Sequence, residues 1–284
     1  MELKVQKAGV AGAGAMGLGI AQVFAQAGFE VVLYDLNEEQ LAKAKNTISQ
    51  NLSGAVAKEK LTDKEKNETL GRLTFANDVN ALQADVIIEA IVEKPEAKKQ
   101  LFQKLSEINS KETILASNTS SIPITRIAKD IPHPERIAGM HFFNPAHIMK
   151  LVEVISGVET SESVALTLKE LTLQLGKVPV MCKDSPGFIV NRVARHYYVE
   201  SLKLLEERAA TMENIDALME SAGFKLGPFK LMDLVGNDIN FAVTSSLFES
   251  FHQEARFRPS RIQQQKVEAG HLGRKTGQGF YNYN

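Results

Sequence analysis

Residues 5–26 pass from a short apolar segment, Val5 to Ala11, through Gly12-Ala13-Gly14-Ala15-Met16-Gly17 into a small-residue amphipathic stretch, Gly17 to Gln26. In a dinucleotide-binding βαβ unit each glycine has a steric task. Gly12 makes the tight turn, Gly14 lets backbone approach a pyrophosphate, and Gly17 lets the helix pack closely on the strand. Gly12, Gly14, Ala15, Met16 and Gly17 are therefore the expected cofactor-binding turn. The same string would also serve as a ligand-free turn, so the residues after it decide between the two. A second strand, Glu30 to Tyr34, ends in Asp35, about twenty residues past the glycines, where a carboxylate can accept both ribose hydroxyl protons. That carboxylate repels a 2′-phosphate, and the next residues, Leu36 and Asn37, bring no cation. NAD is favoured over NADP, while FAD, which shares the ADP-ribose end, stays open on these residues alone.

The rest of the first half repeats the pattern. Val86 to Ala90, Thr113 to Ala116, Ile137 to His141 and Leu151 to Ile155 read as strands buried on both faces, being apolar and largely free of charge. Between them, Glu38 to Leu73 reads as a long Lys- and Ala-rich helix and Pro95 to Ile108 as an amphipathic one. Strand and helix in alternation predict an α/β, Rossmann-type, mostly parallel sheet. After Cys182 the pattern changes. Asp184-Ser185-Pro186-Gly187 signals a turn and a helix start, and helices are predicted to about Glu207, over Met212 to Ser221, from about Lys230 to Phe251, and over Pro259 to Glu268. No strand pattern recurs until Phe280-Tyr281. The predicted domains are 1–184, the Rossmann-type domain, and 185–284, an all-helical C-terminal domain.

Composition narrows the partners. With 284 residues, 44% hydrophobic, and 33 basic against 34 acidic side chains, the chain lacks the basic footprint that nucleic acid requires. One cysteine, Cys182, allows no internal disulfide and no Cys-rich zinc site, as expected of a reduced cytoplasmic compartment. No apolar run approaches the roughly 20 residues that span a bilayer, and the N-terminus has no secretory pattern, so no membrane partner is expected.

Residues 137–157, IAGMHFFNPAHIMKLVEVISG, put His141 at the end of one strand and Glu153 inside the next. Ligands of parallel sheets bind outside the carboxyl ends of the strands, so His141 faces the cofactor crevice. Imidazole exchanges protons near neutral pH, and a carboxylate beside it fixes the tautomer and balances the imidazolium. Singly, a packing histidine and an edge glutamate would explain the same two residues.

Taken together, the motifs resemble those of the L-3-hydroxyacyl-CoA dehydrogenase family. Besides GxGxxG with Asp35, the chain carries SNTSS at 117–121, HFFNP at 141–145, KLVEV at 150–154, PGFIVNR at 186–192 and GRKTGQGFY at 273–281, in family order along essentially its whole length. The resemblance implies His141 as the acid/base group, Glu153 as its partner, Ser120 as a hydrogen-bond donor to the substrate oxygen and to the cofactor side, and Asn191 as a second polar group at His141 and the acyl carbonyl. Glu93, Lys98, Asn144 and Lys275 match family positions near the nicotinamide half of NAD. The segment 42–73 matches the family's helical excursion beside coenzyme A, where Lys58 and Lys60 are candidates for the CoA phosphates or else an ordinary solvated face. The implied reaction is reversible oxidation of a short-chain (S)-3-hydroxyacyl-CoA, with NAD as cofactor, no metal, and a homodimer through the C-terminal domain.

NRVARHYYVES and LVGNDINFAV are nearer to a branch acting on 3-hydroxyadipyl-CoA, whose far end is a carboxylate. Arg195 lies one helical turn beyond Asn191 and is the candidate cation for that carboxylate. Two other readings stand beside these. A dehydrogenase of free β-hydroxy acids would want a catalytic lysine in place of His141 and Glu153. A non-catalytic NADH-binding relative would be free to lose the dyad, which is present.

Overall fold

The computed structural model describes residues 5–283, which divide between Ser185 and Pro186 into two compact units. In the first, β1 (Lys7–Ala11), α1 (Ala15–Gln26), β2 (Glu30–Tyr34), α2 (Glu38–Ala57), α3 (Asp63–Gly71) and β3 (Leu73–Ala76) lead to β4 (Val86–Glu89). Next come α4 (Pro95–Ile108), β5 (Ile114–Ser117), α5 (Ile124–Ala128), β6 (Ile137–Phe142), β7 (Leu151–Ser156), α6 (Glu162–Gln174) and β8 (Val178–Lys183). The eight strands form one sheet in the order β3-β2-β1-β4-β5-β6-β7-β8. All neighbours are parallel except β6 and β7. The sheet is thus the α/β, mostly parallel one that the sequence pattern predicts. The chain reverses direction across the sheet between β1 and β4, the switch point where such sheets open a ligand crevice.

The core explains the run-like strand sequences. Val10, Leu33, Ile88, Ala116, Met140 and Val154 are buried together with Ile20, Phe24 and Leu168 from the covering helices. Both faces of the central strands are covered, so alternation of polar and apolar residues has no place there.

Several elements depart from the sequence reading. The helix expected over 38–73 is two helices and a strand. At the break Glu59 is left-handed (φ 55°), and Thr62 and Glu65 form a reciprocal capping box that starts α3. The strand β3 is a short, half-buried edge, and β8, VPVMCK, is the other edge, where Pro179 is tolerated. The helix α6 starts at a Ser161 cap.

The second unit is helical: α7 (Val190–Glu206), α8 (Met212–Ser221), α9 (Pro228–Val235), α10 (Asn237–Ser250) and α11 (Arg261–Glu268). A single helix expected over 230–251 is broken at Gly236, whose φ of 105° ends α9 and begins α10. Phe280-Tyr281 is not a strand; the tail makes only isolated bridges, Gly273 to Gln278 and Gln278 to Asn282. Two buried carboxylates organise this unit. Asp216 accepts the amides of Phe229 and Lys230 at the α9 N-terminus and the Tyr281 hydroxyl. Asp233 accepts the Phe280 and Tyr281 amides, pinning the tail. Among the described residues no helix is long and apolar enough to cross a membrane.

Candidate active site

The glycine turn shows directly why each glycine is there. Gly12 has a φ of 101°, and a Cβ on it would meet the Ala90 carbonyl oxygen at 2.6 Å; a Cβ on Gly17 would overlap the Gly12 carbonyl oxygen at 1.7 Å. Around Gly14, by contrast, a Cβ would meet nothing within 4 Å. Gly14 is also the N-cap of α1 and offers no side chain to the first-turn amides. An open approach to uncapped amides at a helix N-terminus is what a pyrophosphate needs. Beside the turn lies a cavity of about 630 Å³ lined by Gly12, Gly14, Tyr34, Asp35, Leu36, Gln40, the loop that follows β4 and residues of α4. Asp35 stands at its wall, with Oδ2 accepting the Ala13 amide at 2.8 Å and Oδ1 the Asn37 amide at 3.0 Å. These residues fit an ADP-ribose group.

NADH should be preferred to NADPH, because a 2′-phosphate beside Asp35 meets a carboxylate and no cation. Leu36 is 82% exposed, so an Arg there reaches the cavity without repacking. Asp35→Ala with Leu36→Arg should narrow the preference measured as the ratio of kcat/KM values. Equal efficiency of the wild type with both cofactors would contradict this.

At the ends of β4 and β5 the structure brings Glu93 and Lys98 together with residues that the sequence reading does not single out. Lys98, 1% exposed, donates to Glu89 Oε1 at 2.6 Å and pairs with Glu93 Oε2 at 3.1 Å. Fully buried Glu89 also accepts the Ile91 amide and the Ser117 hydroxyl. Glu93 Oε1 accepts the Thr119 hydroxyl, the Ser120 amide and the Ser121 hydroxyl. Burial opposes ionisation of Glu93, but Lys98 and these donors outweigh it and leave its carboxyl below the usual range. The loop SNTSS, which carries Ser120, therefore hangs on a Glu–Lys–Glu chain. Asn118 of the same loop accepts the Phe142 amide at 2.8 Å and so ties it to the end of β6. Glu89 has a readable signal: an acid closing an otherwise apolar strand, much as Asp35 closes β2.

The antiparallel pairing of β6 and β7 sets His141 directly opposite Glu153. Opposed residues share a face, within reach of one another. The result is a contact of 2.8 Å between His141 Nδ1 and Glu153 Oε2, with His141 6% exposed and Glu153 fully buried. The Phe143 ring lies 4.5 Å from the imidazole, and Asn144 sits on the exposed turn beyond it. The Cys182 thiol on neighbouring β8 is pushed up to about 12, first by burial and then by the Glu153 and Asp184 carboxylates. It is accordingly a poor nucleophile.

The remaining predicted residues stand on other elements. Lys58 and Lys60 are exposed in the turn between α2 and α3. In the second unit Asn191 is in the first turn of α7, and Lys275 pairs with Asp238 at 2.6 Å. Arg195 requires a correction. Helical spacing puts it on the Asn191 face, but α10 covers that face at its level. Its Nη1 donates to the Asn240 carbonyl and the Thr244 hydroxyl, its guanidinium stacks on Tyr198, and it is 3% exposed. Burial pulls its guanidinium down to about 10. It is an interior packing residue of the helical unit, not a cation lining an open pocket.

The fold and the glycine turn define a dinucleotide-binding protein of two units. Residues 7–185 match the family description "3-hydroxyacyl-CoA dehydrogenase, NAD binding domain", and residues 187–283 match "3-hydroxyacyl-CoA dehydrogenase, C-terminal domain". The chain belongs to the 3-hydroxyacyl-CoA dehydrogenase family, whose members are NAD-dependent oxidoreductases. It is 51% identical to 3-hydroxyadipyl-CoA dehydrogenase of Escherichia coli K12, over all of this chain and 60% of that protein. It is 43% identical to a probable 3-hydroxybutyryl-CoA dehydrogenase of Deinococcus radiodurans, over 98% of this chain and all of that protein. A crystal structure of 3-hydroxybutyryl-CoA dehydrogenase from Escherichia coli K12 superposes with a TM-score of 0.97 at 51% identity, covering 99% of this chain and 60% of that one. The chain thus spans 60% of the length of its Escherichia coli relatives and the full length of the Deinococcus one.

Proposed function

We propose that the protein interconverts short-chain (S)-3-hydroxyacyl-CoA and 3-ketoacyl-CoA, with 3-hydroxybutyryl-CoA as the simplest substrate. The observation that carries this reading is the buried His141–Glu153 pair at the strand ends, in the same unit as a dinucleotide turn. Held at the glycine turn and Asp35, NAD would supply the hydride acceptor for the 3-carbon. His141 Nε2 takes the proton of the 3-hydroxyl, and returns it in the reverse direction. Glu153 keeps Nδ1 protonated, orients the ring and balances the imidazolium as it forms. Ser120, on the loop suspended from Glu93, donates to the substrate oxygen, and Asn191 holds the acyl carbonyl. Glu93, Lys98, Asn144 and Lys275 serve the nicotinamide side, and Lys58 and Lys60 the phosphates of CoA.

A second reading, 3-hydroxyadipyl-CoA as substrate, is favoured by the name and 51% identity of the Escherichia coli relative. Burying a terminal carboxylate without a cation costs several kcal/mol, and with Arg195 buried another cation has to supply it. The decisive measurement is kcat/KM with NADH on acetoacetyl-CoA, 3-ketohexanoyl-CoA and 3-ketoadipyl-CoA. Highest efficiency on acetoacetyl-CoA supports the short-chain reading and a preference for the charged chain supports the second. No turnover on any of them refutes both.

The C-terminal unit leaves Val193, Leu218, Phe224, Leu234 and Ile239 at least half exposed, more apolar surface than a small monomeric unit ordinarily presents. We infer that it forms a two-fold dimer, and that the enzyme works in the cytoplasm. Light scattering at micromolar concentration should give twice the chain mass of 31.2 kDa; a monomer mass refutes the dimer.

A further inference from the structure

Ala13 is held through the peptide on each side of it, by Asp35 just past the end of β2 and by Gln40 at the start of α2. The Ala13 amide donates to Asp35 Oδ2 at 2.8 Å, and the Ala13 carbonyl accepts from Gln40 Nε2 at 3.0 Å. Gln40 is itself fixed. It lies in the first turn of α2, where its amide donates to the capping side chain of Asn37, and the Asn37 amide returns to Asp35 Oδ1. Asp35, Asn37 and Gln40 thus form one short rigid bracket around Ala13, which is fully buried. What the bracket holds is the residue just before the cap of α1. Gly14 contributes the first helical bond, from Leu18 at 3.0 Å, and no side-chain cap. The direction of the uncapped amides therefore depends on the orientation of the Ala13 peptide.

We propose that Gln40 is a cofactor-positioning residue: by gripping the Ala13 carbonyl it orients the turn whose amides receive the dinucleotide pyrophosphate. The inference rests on the NAD-binding reading of the glycine turn. Preorganisation is its physical content. A turn already held in its binding orientation does not have to be ordered when the ligand arrives, so removal of the grip appears as lost affinity. Asp35 and Gln40 divide the work, one on the amide and one on the carbonyl. Asp35 also meets the ribose; Gln40 shares the wall of the same cavity, but the role proposed for it runs through the Ala13 carbonyl and not through a contact with the ligand. That distinction sets the test.

Gln40→Met keeps the length of the side chain and removes the donor. One hydrogen bond of ordinary strength corresponds to about a 3- to 10-fold change in affinity. NADH, followed by its fluorescence, and ADP-ribose, followed by calorimetry, should both bind weaker by that factor. Adenosine, which has no pyrophosphate, should compete as well as it does in the wild type. Gln40→Glu sets a carboxylate against the Ala13 carbonyl and should weaken NADH and ADP-ribose further, again sparing adenosine. The thermal midpoint of the ligand-free variants should match that of the wild type. Unchanged NADH affinity in both variants overturns the proposal, as does an equal loss for adenosine, which would make Gln40 a direct contact. A ligand-free midpoint that falls in step with affinity overturns it too, by assigning Gln40 to stability. Failure of the wild type to bind NADH would instead refute the underlying cofactor reading.

Discussion

His141→Gln is expected to lower turnover on acetoacetyl-CoA by at least about 10²-fold, the usual contribution of a general acid/base, with NADH affinity nearly unchanged. Glutamine fills much of the same space and can still face Glu153, whose Oε2 lies 2.8 Å from the imidazole, but it has no group that exchanges a proton near neutral pH. Glu153→Gln should cause a loss of similar kind, since the imidazolium formed in the reaction would lose the countercharge set opposite it on β7. The double variant should be little worse than His141→Gln alone, because residues that act as one unit give non-additive losses. Stopped-flow single turnovers with saturating NADH separate the chemical step from binding. Near-normal turnover of His141→Gln removes His141 from the mechanism, and strictly additive losses remove Glu153 as its partner.

Much of this site is readable in the sequence because the strands dictate it. An apolar run that ends in an acid, Asp35, or in a histidine, His141, marks a carboxyl end of a parallel strand, and those ends are where ligands sit. What the run alone does not tell is strand direction. Nothing in the sequence says that β7 is antiparallel to β6, yet that reversal is what puts Glu153 opposite His141. Edge strands escape detection for a related reason: β3 and β8 are exposed on one side, so their sequences are mixed and, at Pro179, interrupted. Helix breaks at Glu59 and Gly236 depend on positive φ values, and only the second has a glycine to announce it. Arg195 shows the opposite error. Helical geometry correctly gives its side of α7, but whether a neighbouring helix covers that side is tertiary information, and α10 covers it. Spacing locates a side chain on an element; burial decides what the side chain can meet.

Glu89, the acid that closes β4, carries the largest expected effect on stability. Its carboxylate is fully buried and accepts three donors: Lys98 Nζ at 2.6 Å, the Ile91 amide at 2.7 Å and the Ser117 hydroxyl at 2.6 Å. Glu89→Ala leaves all three donors without that acceptor, and breaking a buried ion pair from one side typically costs about 3–5 kcal/mol. Lys98 keeps Glu93 at 3.1 Å, which argues for the lower end of that range. For a unit of this size the corresponding fall in thermal midpoint is about 6–12 °C. Glu89→Gln, which preserves an acceptor for Ile91 but not the charge, should lie between Ala and wild type. The discriminating variant is Glu89→Leu with Lys98→Met. If the cost comes from a stranded ammonium, removing both charges should recover a large part of what Glu89→Ala loses, since a buried pair exchanged for apolar groups of similar volume is often close to neutral. If instead the carboxylate chiefly serves the Ile91 amide and the Ser117 hydroxyl, the double variant should remain as unstable as the single one. Urea unfolding of wild type, Glu89→Leu, Lys98→Met and the double variant closes a double-mutant cycle that measures the coupling directly. A coupling near zero, or a Glu89→Ala midpoint close to wild type, would mean that the loop carrying Ser120 does not depend on this buried chain.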